Sequence, residues 1–443
     1  MRRKTSVTFH GGVNEIGGNK ILLKDGDISV LLDYGLSFRL RSQYYSAPFL
    51  SPRSEKELLE LGILPDLEGV YRFDPVKPKV DAVILSHSHM DHAAYVSFVK
   101  EEIPVYCGST TATILDAYSE IRPSGFEFNL EGLNFRTFRT GDKIELGSLQ
   151  VEPIHVDHSV PGSYGFVIQT STGALVYTGD FRMHGDKPNL TEDFLETAAN
   201  AEPVVAITEN TNMTHAEVSS EEEVRAKLSE IVRSTTGLVL ANFACADIDR
   251  LRSFYETAVE NGRRLVVTLR QAYLLSKLSG DPHLDVPRIE DENLLVFQKA
   301  KDKYYLWERE AMNLGETVNS QEIAKEQGKV IFACSSYDLG ELTEIKPSPG
   351  SCYVLSASEP FNEETEIDFE RLLNWLEHYG LPQYHVHVSG HITPLRLRES
   401  LRKTKPKTIF PIHGTSPVLF SKFMADLDSR IILPQVGRSY EVA

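Results

Sequence analysis

The sequence has no run of eighteen apolar residues, so it offers no helix able to span a membrane. It also has no C-x-x-C pair. Its four cysteines, Cys107, Cys245, Cys334 and Cys352, stand far apart, each in or beside an apolar stretch. That excludes a zinc ribbon and reads as buried free thiols. Positive charge is in deficit: 46 Lys and Arg face 63 Asp and Glu, a formal net charge of −17. Such a chain repels polyanions except where a basic patch or a bound cation intervenes. Internal repeats and low-complexity tracts are missing as well. The basic start Met1-Arg2-Arg3-Lys4-Thr5 runs straight into a strand-like segment without an apolar signal core, which predicts a cytoplasmic location and no membrane contact. A hydrophobic content of 41% and 443 residues suit a globular protein with two domains, the second interleaved in the first.

What is present is concentrated in Ser86-His87-Ser88-His89-Met90-Asp91-His92. The stretch follows the apolar run Val83-Ile84-Leu85 and precedes Ala93-Ala94, the pattern of a buried strand feeding a turn and a helix. Three imidazoles and a carboxylate are costly to bury unpaired. Packing therefore does not explain them. At a strand end His87 and His89 would point the same way, because side chains repeat every two residues. Asp91 and His92 would then reach a second ion. Borderline metals such as zinc take nitrogen and carboxylate donors of this kind.

Read in order, the first third predicts strands at Ser6–His10, Ile21–Leu23 and Ile28–Leu32, with Asp33 ending the third. Residues 39–78 read as an irregular surface excursion, a lid or an interface, with one helical patch at Glu55–Leu61. After the His-rich stretch come a helix at 93–100, a strand at Pro104–Cys107, a helix from Thr110 and four further strands near 134–139, 149–154, 164–170 and 174–178. His158 and Asp180 each follow one of these strands and are candidate ligands. His155 is a candidate outer partner. From 203 onward, strands at Val204–Ile207, Leu238–Ala241, Leu265–Thr268, Lys329–Ala333 and Cys352–Leu355 alternate with helices at 221–234, 247–260 and 270–278. This is the signature of a parallel α/β unit, with a polar helical segment at 296–328 inside it. A helix at 364–379 and a strand at Tyr384–Ser389 lead to His387-Val388-Ser389-Gly390-His391. Phe410-Pro411-Ile412-His413-Gly414 closes the next strand, and a helix at 416–427 with two short strands completes the pattern.

With His87-x-His89-x-Asp91-His92, Asp33, His158, Asp180 and His413 in place, the chain resembles the metallo-β-lactamase fold hydrolases. The motif marks that superfamily and not one reaction, since lactamases, glyoxalases, lactonases and nucleases share it. The α/β stretch between Asp180 and His413, with Glu209 after a strand and then His391, is similar to the insert of the β-CASP nucleases. Within that group, Gly11-Gly12-Val13-Asn14-Glu15-Ile16-Gly17-Gly18-Asn19, His158-Ser159-Val160-Pro161-Gly162-Ser163-Tyr164-Gly165, Thr178-Gly179-Asp180-Phe181, His387-x-Ser389-Gly390-His391 and Ser358-Glu359-Pro360 resemble segments of ribonuclease J. The resemblance covers nearly the whole chain. It implies an α/β protein: an αββα sandwich of metallo-β-lactamase type at 1–203 and 381–443, with a β-CASP domain inserted at 204–380. Three features depart from the family. The sequence stops soon after His413, like a short archaeal-type member; the 39–78 stretch is unfamiliar; and Glu209 stands where ribonuclease J usually has Asp.

The resemblance also implies roles. His87, His89 and His158 would hold one divalent ion; Asp91, His92 and His413 a second; Asp180 would bridge them, and Asp33 would orient a ligand imidazole from behind. Two such ions, about 3.5–4 Å apart, activate water as hydroxide for attack on an RNA phosphodiester. Zinc fits the nitrogen-rich set, with manganese or magnesium as alternatives. The catalytic residues would be Asp91, Glu209 and His391, with His391 protonating the leaving 3′ oxygen beside Glu209. His387, Ser389, Gly390 and His391 would cradle the phosphate. Arg396, Arg398, Arg402 and Lys403, followed by Lys405 and Lys407, form the densest basic run and would contact the RNA backbone. Tyr164 and Phe181 could stack bases, although core packing is the more ordinary use of such residues. The implied activity is a 5′→3′ exonuclease on single-stranded RNA with a 5′-monophosphate. The alternatives are an endoribonuclease of the 3′-processing type, a DNA-directed β-CASP nuclease, and an inactive RNA-binding scaffold subunit. A homodimer is compatible with the sequence and not required by it.

Overall fold

Residues 4–46, 49–121, 126–216, 219–357 and 363–442 are described by the structure, a computed structural model. Alternation of buried and half-buried positions makes Thr5–Gly11 a one-sided strand, β1. It is followed by β2 (Lys20–Asp25), β3 (Ile28–Tyr34), β4 (Ala82–Ile84), β5 (Val105–Gly108) and β6 (Phe135–Phe138). Then come β7 (Ile144–Leu146), β8 (Leu149–His155), β9 (Tyr164–Thr170), β10 (Gly173–Tyr177) and β11 (Val205–Glu209). Next are β12 (Val239–Asn242), β13 (Arg264–Val267), β14 (Leu294–Phe297), β15 (Thr317–Val318), β16 (Val330–Ala333), β17 (Cys352–Leu355) and β18 (Gln383–His385). The last three are β19 (Thr408–Ile412), β20 (Arg430–Ile431) and β21 (Ser439–Val442).

The chain forms two compact units, Met1–Val218 with Gly390–Ala443, and Ser219–Ser389. The sequence places its divisions after 203 and 380 instead; β11 pairs with β10 and β19, inside the first unit. That unit holds two sheets, ordered β21-β1-β2-β3-β4-β5-β6 and β20-β19-β11-β10-β9-β8-β7. Phe9, Ile21, Leu32 and Ile84 of one meet Leu149, Phe166, Leu175, Ile207 and Phe410 of the other in a shared apolar layer. Helices Pro188–Asn200, Pro394–Thr404 and Pro417–Phe423 cover the outer face of the second sheet. The outer face of the first is covered by helix Ser109–Ile121 and by the segment around residues 36–99. This is an αββα sandwich.

The described residues of 39–78 run over the surface as expected, with helix Glu55–Glu60 at the expected patch, but they are anchored by a set of buried apolar side chains. Tyr45, Leu58, Ile63, Leu64, Val70 and Tyr71 are buried against Leu31, Val83 and Tyr95. Their apolar residues are spaced too thinly among charges to signal burial in sequence, yet they form the roof of the first sheet. The expected helix at 93–100 is a 3₁₀ turn, Ala94–Phe98.

The second unit is a wholly parallel sheet, β15-β14-β13-β16-β12-β17-β18. Helix Ile248–Glu260 packs on β13 and β16. The face carrying Leu240, Val266, Phe332 and Tyr353 is covered by Ile323, Leu342, Leu372 and Leu376. The expected polar helix at 296–328 is two short helices, Leu306–Met312 and Ser320–Lys325, separated by β15. No helix among the described residues is long and apolar enough to cross a membrane. The Ser358-Glu359-Pro360 segment lies outside the described residues.

One buried charge in this core carries a testable consequence. The Lys20 ammonium donates to Gly18 O at 3.3 Å and lies 5.9 and 5.6 Å from the ring centres of Tyr34 and Tyr95. Burial lowers its pKa from 10.5 to about 8, with Glu15 opposing. The unfolded chain therefore binds the extra proton between these values. Lys20 contributes a penalty of about 3 kcal/mol below pH 8 that is relieved as pH rises to 10.5. Chemical denaturation from pH 7 to 11 should show this rise in the native protein and its loss in Lys20→Met.

Candidate metal centre

Parallel pairing sets the site. β3 and β4 run parallel, as do β10, β11 and β19, so the residues that follow them emerge at common sheet edges. Asp33 is the next-to-last residue of β3, and His87 follows β4. Asp180 follows β10, Glu209 ends β11 and His413 follows β19. Two of these non-glycine residues hold left-handed backbone, Asp33 at φ 57° and His413 at φ 52°. Strain of this kind persists only where surrounding contacts over-determine it. Here His413 N–H donates to Gly12 O at 2.7 Å, and Asp33 accepts from Ser86 N–H at 2.7 Å and Ser86 Oγ at 2.8 Å.

The period-two explanation for His87 and His89 does not hold. β4 ends at Ile84, and both histidines lie in the loop before helix Met90–Ala93. The loop still brings them together: His87 Nε2 lies 3.0 Å from His89 Nδ1, and His158 Nε2 lies 3.2 Å from the same atom. Asp180 Oδ2 is 3.8 Å from His87 Nε2. His87, His89, His158 and Asp180 each present a donor atom within 4.8 Å of the others, and so do Asp91, His92 and His413. His413 Nε2 is 3.0 Å from Asp91 Oδ2, and Asp180 Oδ2 lies 3.1 Å from His92 Nε2 and 3.5 Å from His413 Nε2. One carboxylate thus adjoins both sets.

The opposite ring nitrogens explain why these atoms face inward. His92 Nδ1 donates to Asp33 Oδ2 at 2.7 Å, and His158 Nδ1 to Gly390 O at 2.6 Å. His413 Nδ1 sits 2.9 Å from Thr211 Oγ1, and His87 Nδ1 3.0 Å from Ser86 Oγ. Each partner holds one ring nitrogen, so the opposite nitrogen points into the cluster. His87 Nε2, His89 Nδ1 and His158 Nε2 then crowd together at the spacing of ligands around one cation. Asp180 Oδ1 is buried with no hydrogen-bond partner. The donor set fits divalent metal.

Electrostatics agrees. Burial, then the neighbouring imidazoles of His92 and His89, drive the His87 pKa well below its usual value. Burial likewise holds His89 at about 4 and pushes His158 far down. These rings are neutral, the form that ligates. His92 behaves oppositely: burial disfavours its charge, but Asp180, Asp91 and Asp33 raise its pKa well above the ordinary value. Asp91 and Asp180 are held well below the usual carboxylate range; burial opposes this, and it is overcome by His92 for the first and His413 for the second.

Glu209 is 1% exposed; its Oε1 accepts from Phe181 N–H at 3.0 Å, and its Oε2 lies 3.0 Å from His391 Nδ1. Burial lowers the His391 pKa, but Glu209 and then Asp180 raise it, to about 9. His391 also lies 3.8 Å from Asp180, and Asp180, His391 and His413 form a third set of donors within ligand spacing.

The remaining candidates belong to none of these donor sets. His387 and Ser389 belong to the second unit, beyond the end of β18, so the expected strand to Ser389 stops at His385. There the His387 pKa falls to about 3, through burial and then the adjacent Arg250, whose guanidinium also binds Glu221 and Ser356. In the basic run, Arg396 pairs with Glu399, while Arg398 and Arg402 converge on Asp426. Lys403 shares their helix. Tyr164 and Phe181 are buried in the core, which removes them as stacking platforms. His155 lies 2.9 Å from Thr140 Oγ1 and packs on Tyr164, outside every ligand set among the described residues.

Sequence reasoning missed the supports: Ser86, Tyr177, which donates to Asp33, and Thr211. Only adjacency to His87 and Glu209 hinted at the first and third. It also missed why glycine follows Tyr34. A Cβ on Gly35 would stand 1.7 Å from Asp91 O and 2.4 Å from His92 N. Gly35→Ala should therefore destabilise the protein by about 3 kcal/mol or more and displace Asp91. Thermal melts with and without added zinc check this: the variant should melt lower and gain less from the metal.

Residues 65–230 match the β-lactamase superfamily domain. Ribonuclease J 2 of Streptococcus pyogenes is 27% identical over 425 residues, 91% of this chain and 68% of that protein. Ribonuclease J of Sinorhizobium meliloti is 27% identical, over 97% of this chain and 72% of its own. That of Thermus thermophilus is 25% identical, over 91% and 67%. A solved protein of unknown function from Enterococcus faecalis V583 superposes with a TM-score of 0.79 at 23% identity, covering 99% of this chain and 100% of that one. It shares the fold.

Proposed function

Because the chain is a relative of ribonuclease J over more than nine tenths of its length, we propose that it is a metal-dependent ribonuclease. The observation that carries this reading is the convergence of two inward-facing donor sets around Asp180. His87, His89 and His158 would hold one ion, Asp91, His92 and His413 the other, with Asp180 shared. Zinc is the first choice for so nitrogen-rich a set, with manganese or magnesium as alternatives. Bound there, the ions supply Lewis acidity and a water of lowered pKa.

The protein's own groups supply the rest. Asp33 holds the His92 ring in its ligating tautomer through the Nδ1 contact. His391, kept protonated beside Glu209, hands a proton to the leaving 3′ oxygen. His387, Ser389, Gly390 and His391 are assigned to the scissile phosphate and its neighbours. Arg396, Arg398, Arg402 and Lys403 are weaker candidates for backbone contact, since three of the four already pair with carboxylates. The second unit acts as a β-CASP domain, and single-stranded RNA is the substrate. We assign 5′→3′ exonucleolytic action with preference for a 5′-monophosphate. Glu209, in place of the Asp usual in ribonuclease J, favours one second reading, endonucleolytic cleavage.

A 5′-labelled RNA, prepared as monophosphate and as triphosphate and resolved on a sequencing gel, separates these. Labelled mononucleotide, released faster from the monophosphate, is the expected product. Discrete internal fragments indifferent to the 5′ end would replace the exonuclease with the endonuclease.

A further inference from the structure

His158 and Asp180 follow β8 and β10, strands that are not neighbours because β9 lies between them. Direct pairing of these strands therefore does not fix the spacing of the two loops. The residues beside them do. Asp157 and Arg182 form an isolated antiparallel bridge, with Arg182 N–H donating to Asp157 O at 2.7 Å. The Arg182 side chain closes back on the same residue, Nε donating to Asp157 Oδ1 at 3.1 Å. Thr191, on helix Pro188–Asn200, stitches both strands of the bridge: its hydroxyl accepts from Asp157 N–H at 3.0 Å and donates to Arg182 O at 2.8 Å. Arg182 is 0% exposed and Asp157 3%. Gly185 seals the pair so closely that a Cβ there would lie 2.3 Å from Arg182 Nε and 2.4 Å from Asp157 Oδ2.

A buried ion pair adds little net stability over an apolar pair of the same volume, because desolvation offsets most of its attraction. What it supplies is direction. We infer that Asp157 and Arg182 are positioning residues for metal binding: their bridge sets the distance between the two loops and so holds His158 Nε2 and the Asp180 carboxylate in one donor set. Neither residue belongs to a ligand set among the described residues. The inference rests on reading His158 and Asp180 as ligands.

The test uses the full-length chain carrying Arg182→Lys, the double substitution Asp157→Leu/Arg182→Met, and His158→Ala as control. Thermal unfolding of the metal-free proteins and their Zn²⁺ affinity, measured by competition with a chelating dye at a temperature where each is folded, are the two readouts. The double variant should melt near the native metal-free protein and bind Zn²⁺ about 10–100-fold more weakly. Arg182→Lys keeps the charge without the guanidinium geometry and should fall between. A folded double variant with native Zn²⁺ affinity overturns the inference, because a purely structural pair would move melting alone. Where the double variant does not fold, Arg182→Lys decides, and unchanged affinity there overturns it. Native affinity in His158→Ala overturns the ligand reading instead.

Discussion

Asp180→Asn should abolish turnover and strip metal from both donor sets. Asp180 Oδ2 lies within 4 Å of His87, His92, His391 and His413, and its second oxygen is buried without a partner. Its charge also helps raise the pKa values of His92 and His391. Removing it leaves buried imidazoles without the anion that offsets their crowding, in a site where bound ions would supply several kcal/mol of transition-state stabilisation. The expected loss is about 10³-fold or more in kcat. Metal analysis after gel filtration should show the variant depleted in both ions. Depletion of one ion only would remove Asp180 from the bridging role and confine it to a single set.

His391→Ala should separate binding from chemistry. The ring faces Glu209 at 3.0 Å and stays protonated to about pH 9, the state a proton donor requires. Its removal should lower kcat by about 10²–10⁴-fold, the range for a missing general acid, while both ions stay bound. The competing role is written in the geometry, because His391 also forms a donor set with Asp180 and His413. Metal lost in parallel with turnover would make His391 a ligand.

The clustering at the candidate metal centre was largely legible in the sequence because its chemistry is local. His87, His89, Asp91 and His92 stand within six positions, and each remaining candidate ligand follows an apolar strand whose end can be read from its neighbours. The parallel sheet of the second unit was legible for the same reason, through alternation of apolar strands with helices. Supports contributed across the chain were not. Gly390 O, 232 positions from His158, fixes that ring's tautomer, and no local pattern announces it. The roof at 39–78 escaped notice because Leu58, Ile63 and Tyr71 are buried by partners brought from elsewhere, without a periodic stripe of their own. The short strand β15 was hidden inside a polar stretch, since a strand of two residues carries too little pattern to outvote its surroundings. Arg398 and Arg402 looked like free cations until Asp426, distant in sequence, was seen between them.

The decisive experiment is cleavage of a labelled single-stranded RNA by protein first stripped with chelator and then titrated with Zn²⁺ or Mn²⁺, with bound metal counted at each step. The stripped protein should be inert, and cleavage should return as the second equivalent fills. Cleavage by fully stripped protein, or intact RNA after incubation with protein carrying two ions, would contradict a metal-dependent ribonuclease.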